Sequence, residues 1–261
     1  MSTFTFTAET GDLCRALAAA EPFANSKLPS FSTVRLFVDE ANIYVGATNG
    51  NALGLALASC FALESINSDG EAQNTAGALF EVDLLPAQCK AIVALFKAGA
   101  AEDSDDGEPG AELRIEVGEE EVIITDASGL LEGQSLTLPR PPTVANAAAV
   151  IVSVESLNVK GPDPASDRPP RYYPASLALV LKAAKVYGHD LTFEHRAPAA
   201  QNRSGSTLVR CGESFLAVLV DAWLDEDVAG TRDRWAGAWG DRLAPLRDRA
   251  LAFTNNDPKE N

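Results

Sequence analysis

One pattern recurs along this chain: a short alternating strand, a helix, then a run of strands parted by turn residues. A repeated unit of this kind fixes architecture before any single residue does, because each copy leaves an apolar face that its neighbour must bury. The first copy opens with Phe4-Thr5-Phe6-Thr7, which alternates like a strand, and passes into Gly11-Asp12-Leu13-Cys14-Arg15-Ala16-Leu17-Ala18 with helical spacing. Three strand-like stretches follow, Val34-Arg35-Leu36-Phe37-Val38, Asn42-Ile43-Tyr44-Val45-Gly46-Ala47 and Leu53-Gly54-Leu55-Ala56-Leu57. Asp39-Glu40 and Asn49-Gly50-Asn51 separate them and read as hairpin turns.

The second copy begins with Ala78-Leu79-Phe80-Glu81-Val82, and Asp83 is placed to cap a helix over 84–98, with Pro86 in its first turn and Gly99 at its end. Strands at 113–117, 122–125 and 134–138 complete it. A third copy is shorter. It starts at Arg171-Tyr172-Tyr173-Pro174, runs through a helix ending at Gly188, and supplies strands at 191–195, 206–210 and 214–219. Residues 140–170, rich in proline, are too few for a fourth copy and read as a linker carrying one strand at 150–159. Over 231–253, Trp235, Trp239, Leu243 and Leu246 fall at helical spacing, with Pro245 expected to kink the helix. The expected domains are therefore 1–140 (two units), 141–170 (linker), 171–225 (third unit) and 226–261 (helical tail).

Chemistry is bounded by what the chain lacks. Cys14, Cys60, Cys89 and Cys211 form no CxxC pair, and His189 and His195 are the only histidines, which leaves little for a zinc site or a histidine-based nucleophile. No P-loop, GxGxxG or GxSxG occurs, so the expectation is a protein that is not an enzyme and needs no cofactor or metal. No apolar run reaches the roughly 18 residues of a membrane span, and MSTFTFTAET lacks the features of a secretory signal, so a cytoplasmic protein is expected. The net charge of -16 is unevenly spread, since residues 102–121 hold ten Asp or Glu against one Arg. A separate basic face is compatible with that distribution.

Repeated βαβββ units with helices on one face of curved antiparallel sheets resemble the bacterial DNA polymerase III β subunit family, the DNA sliding clamps. Leu28-Pro29, the strands at Val34 and Ile43, and the Ala47-Thr48-Asn49-Gly50 turn resemble the family's Leu-Pro, two strands and a Thr-Asp turn, with Asn49 in place of the usual Asp. Tyr173-Pro174-Ala175-Ser176-Leu177, Lys182 and the stretch from Leu208 to Leu219 resemble its final unit. That unit normally ends in a Met-Pro-x-Arg-Leu segment lining a groove for polymerase peptides. Val220-Asp221-Ala222-Trp223-Leu224 stands there instead, and a further tail follows.

The resemblance implies an α+β clamp-like fold and a processivity or tethering role in DNA replication or repair. A clamp must slide, so its DNA-facing helices carry a sparse set of cations that touch phosphates without reading bases. Arg15, Lys90, Lys97, Lys182 and Lys185 are the candidates. Each alone also reads as a solvated position; their recurrence on the helix of all three copies raises the DNA reading. Val218, Val220, Trp223 and Leu224 are the candidates for a partner-peptide groove. The implied partners are double-stranded DNA bound without sequence preference, a DNA polymerase or other replication or repair protein, a clamp loader if a ring closes, and further copies of the chain. Rings of the family have twelve units, so three units per chain would require four chains joined by a head-to-tail interface, or three chains if 150–159 is the remnant of a fourth unit. The rival reading is a non-ring interaction protein that uses the clamp fold to regulate a replication partner.

Overall fold

The computed structural model describes residues 3–66, 71–97, 111–129, 133–142, 154, 171–196, 205–221, 230, 234, 236–238 and 243. The chain divides into two compact units, Met1–Asp221 and Ala222–Asn261. In the second, Gly230, Arg234, Ala236, Gly237, Ala238 and Leu243 are helical and exposed, and Arg234 donates to the Gly230 carbonyl. The Trp235 and Trp239 side chains lie outside the described residues.

Within the larger body the first repeat is β1 (Thr3–Glu9), α1 (Thr10–Ala20), β2 (Val34–Val38), β3 (Asn42–Thr48) and β4 (Ala52–Ile66). A two-residue strand, β5 (Ala72–Gln73), precedes the second repeat, which is β6 (Phe80–Leu84), α2 (Pro86–Phe96), β7 (Glu112–Val117), β8 (Glu121–Asp126) and β9 (Ser135–Pro139). The third contributes α3 (Pro174–Tyr187), β10 (Leu191–Arg196), β11 (Ser206–Cys211) and β12 (Phe215–Val220). Every strand pairing is antiparallel.

Two relationships organise the sheets. First, repeats 1 and 2 exchange their opening strands. β1 pairs with β7 of repeat 2 (Phe4 opposite Val117), while β6 of repeat 2 pairs with β2 of repeat 1 (Val38 opposite Phe80). Second, β4 runs through both sheets. Its first half lies between β3 and β12, with Leu53 opposite both Thr48 and Val218, and its second half lies against β1, with Leu63 opposite Phe6. One sheet therefore reads β6-β2-β3-β4-β12-β11-β10 and the other β9-β8-β7-β1-β4-β5. Among the described residues β5, β6, β9 and β10 are edge strands, each with one partner.

The helices cover the apolar faces of these sheets. Phe6, Leu13, Leu17, Val34, Ile92, Ile115 and Ile124 belong to one buried cluster that spans all the repeats. Gly54 on β4 is set by a close approach, because a Cβ there would come 2.7 Å from the Phe23 ring.

Several local expectations change. Asp83 is a β6 residue, not a cap: it is buried and takes a bidentate pair from Arg35 of β2 at 2.9 and 2.7 Å, so its carboxylate is spent inside the sheet. Leu85 is the N-cap of α2, which starts at Pro86, and is 40% exposed. The Gln88 side chain does the capping, accepting from the Leu85 N–H at 2.7 Å. The helix ends at Phe96, earlier than 98. β4 is far longer than 53–57, running on to Ile66, where its second half pairs with β1. The strand expected at 150–159 lies outside the described residues apart from Val154, which is helical.

Candidate nucleic-acid interface

α1 lies between the other two helices and packs against both. That position explains its composition: eight of its eleven residues are buried, three of them alanines, which let neighbouring backbones approach. Only Asp12, Arg15 and Ala18 remain partly open. α2 and α3 bury far less, four and three residues, and each turns a broad face to solvent.

The five expected cations fall on these helices or at their ends, in unequal settings. Arg15 donates to Asp12 at 2.7 Å and stands 4.0 Å from Glu9, so its charge is largely matched within its own turn. Lys90 is 71% exposed and reaches Glu21 at 3.1 Å. Lys97, at the C-cap of α2, and Lys182 and Lys185, on α3, are exposed. In a chain with 37 acidic residues, neither α2 nor α3 contains an Asp or Glu. Their exposed positions are instead Ala87, Ala91 and Ala94 around Lys90, and Ala175, Ala178 and Leu181 around Lys182 and Lys185. Such a face offers cations to phosphates with few groups that could read bases.

The groove candidates separate. Val218 is 7% exposed and packs with Leu53, Leu208 and Val154, on the sheet face turned away from the main core. Val220 is half-buried, its N–H donating to the Asn51 carbonyl at 2.9 Å. Trp223 and Leu224 lie outside the described residues.

A polar cluster escaped sequence reading. His195 Nδ1 lies 3.1 Å from Thr207 Oγ1 and 3.7 Å from Asp221 Oδ2, and Tyr172 Oη is 2.9 Å from the same threonine hydroxyl. Burial raises the Asp221 pKa, with His195 pulling the other way, and Asp221 Oδ1 has no hydrogen-bond partner among the described residues. These residues are dispersed over 50 positions of sequence, and only strand pairing gathers them. Thr207 is fully buried, so the cluster presents no accessible nucleophile.

The cysteines are all buried and free. Burial pushes the Cys14 thiol up to about 11 and raises the other three, which keeps them protonated and inert as nucleophiles. Among the described residues no cluster of three metal-ligating side chains occurs, and no helix is long and apolar enough to cross a membrane.

No family model matches the sequence, and no curated protein matches it. Solved structures do match the fold. A DNA polymerase sliding clamp from Pseudomonas aeruginosa superposes with a TM-score of 0.52 at 12% identity, covering 85% of this chain and 66% of the clamp. The DNA polymerase III subunit beta of Borrelia burgdorferi gives 0.51 at 10% identity, covering 83% and 64%. The Caulobacter crescentus beta sliding clamp gives 0.50 at 10% identity, covering 88% and 68%. This chain thus spans about two thirds of the length of each, and its curved antiparallel sheets with few helices match theirs: its fold is that of the bacterial DNA sliding clamps.

Proposed function

We propose that this chain is a non-enzymatic tether that holds a DNA polymerase or repair enzyme on duplex DNA, contacting the phosphates through the exposed faces of α2 and α3. The observation that carries this reading is the charge pattern of those helices. They bear Lys90, Lys97, Lys182 and Lys185 and no acid in a chain of net charge -16. Selection for solubility alone would put acids on these faces as freely as on the rest of the surface. Lys97, Lys182 and Lys185 are the stronger contacts, because Arg15 is already paired to Asp12 and Lys90 to Glu21.

Three repeats per chain make four chains the number for a ring of twelve units, and a closed ring would need a loader to open it. Val218, Val220, Trp223 and Leu224 are proposed to contribute to a site for a partner's peptide. Binding to two duplexes of unrelated sequence, measured across a salt series, tests the DNA contact. The expected result is the same affinity for both and a linear fall of log affinity with log salt. Absence of binding at low salt, or a strong preference between the duplexes, contradicts it.

A further inference from the structure

Repeats 1 and 2 are related by a pseudo-two-fold axis, and among the described residues repeat 3 lacks the partner that this symmetry demands. The axis can be located by counting from the helix N-caps, Glu9 for α1, Leu85 for α2 and Tyr173 for α3. Lys90, five residues past its N-cap, pairs with Glu21, twelve past its own. In the reciprocal arrangement Lys97, twelve past its N-cap, acts on the Cys14 thiol, five past its own. The helices therefore cross antiparallel about a point roughly eight residues beyond each N-cap. Leu17 occupies that position in α1 and is fully buried; Val93 occupies it in α2 and is packed against the core.

The residue at the same position of α3 is Leu181, and it is 61% exposed. Its neighbours on that flank, Ala178 and Lys185, stand at the positions of Lys90 and Glu21 in the α1–α2 contact and are also exposed. The opposite flank of α3 carries Leu179 and Val186, which pack into the common core, and Tyr187 there feels Asp12 and Arg15 of α1. The sheet repeats the asymmetry. β2 and β7, the first strands after α1 and α2, each accept the opening strand of the other repeat, whereas β10, the first after α3, has β11 as its one partner among the described residues. Phe193 on that strand is 45% exposed.

We propose that two copies of this chain associate about a two-fold axis through α3 and β10, with Leu181 meeting Leu181, so that two third repeats reproduce between chains the packing of repeats 1 and 2 within one. A second copy is the occupant because the vacancy has the shape of the chain's own repeat: it needs an antiparallel helix with an apolar residue at the crossing and an extended segment for the β10 edge. An isologous interface follows from the repeat order, 2-1-3. The open side of repeat 3 is of the kind that joins repeats 1 and 2, while the open side of repeat 2, at β9, is of the kind that joins β4 to β12. Head-to-tail joining would bring unlike edges together; like edges mate only across two-fold axes. This changes the head-to-tail expectation drawn from sequence. Strand order dictates this association whether or not the protein binds DNA.

The test uses the full chain in two variants. Leu181→Arg alters an exposed side chain, so its circular dichroism and thermal unfolding should match the parent. Sedimentation at micromolar concentration should show a dimer or larger even-numbered assembly for the parent, and half that mass for Leu181→Arg. Leu181→Cys should cross-link to itself under mild oxidation, against a background kept low by four buried native cysteines. A parent that sediments as one chain, a parent assembly that Leu181→Arg leaves intact, or an assembly in which Leu181→Cys forms no self-disulfide would each overturn the proposal.

Discussion

The rings of Phe4 and Phe80 lie 4.9 Å apart, and each residue stands five positions before a helix N-cap, Glu9 for Phe4 and Leu85 for Phe80. They are therefore equivalent residues of two repeats, meeting where β1 and β6 leave their own repeats to enter each other's. Phe4 is 4% exposed, and replacing it by alanine should cost about 3–5 kcal/mol. A double-mutant cycle with Phe4→Leu and Phe80→Leu, read by urea unfolding, should return a coupling of about 0.5–1.5 kcal/mol. Additive effects would mean that the ring contact contributes nothing beyond burial.

Arg35 and Asp83 fasten the other half of the exchange. Both are buried on neighbouring strands, and Glu81 adds a third contact to the guanidinium at 2.7 Å. Arg35→Ala strands the Asp83 carboxylate in the sheet and should destabilise by about 3–5 kcal/mol. Arg35→Met with Asp83→Leu should recover most of that loss, since both charges then leave together. Chemical denaturation of the two variants distinguishes a destabilising orphan charge from a pair that is itself essential.

Asp221 supplies a pH-dependent prediction. Burial raises its pKa in the folded protein, so the fold favours the protonated acid, and this contribution is present at acid pH and lost as pH rises through the folded value. At neutral pH the residue is then a net burden, and Asp221→Asn should raise the unfolding temperature there. The gain should vanish as pH falls toward the ordinary carboxylate range near 3.8. A variant that loses stability at pH 7 would show instead that the His195 contact outweighs desolvation.

Gly54 predicts a steric effect with a specific remedy. Gly54→Val drives a side chain into the Phe23 ring and should cost about 1–3 kcal/mol. Adding Phe23→Leu should return part of that loss, as thermal unfolding would report.

Much of this fold is legible in sequence where structure is local. The hairpins at 39–40 and 49–51 and the strands of the third repeat follow from alternation and turn chemistry. What escapes is what other repeats impose. Asp83 looks like a cap until Arg35, 48 residues away, is seen to claim it. Leu181 stands at helical spacing from Leu177, yet it is 61% exposed. The candidate interface is legible in part: Lys90, Lys97, Lys182 and Lys185 are exposed as expected, but the pairing of Arg15 with Asp12 depends on which side of α1 stays open.

The lysines of α2 and α3 are proposed to touch the phosphates of DNA. Duplex binding should be compared between the parent and a variant carrying Lys90→Ala, Lys97→Ala, Lys182→Ala and Lys185→Ala, all at exposed positions with acceptable helix propensity. Each phosphate contact contributes about -0.9 to the slope of log affinity against log salt, so the variant's slope should be shallower by about 2–4. An unchanged slope, with the variant folded, would contradict the assignment of this face to DNA.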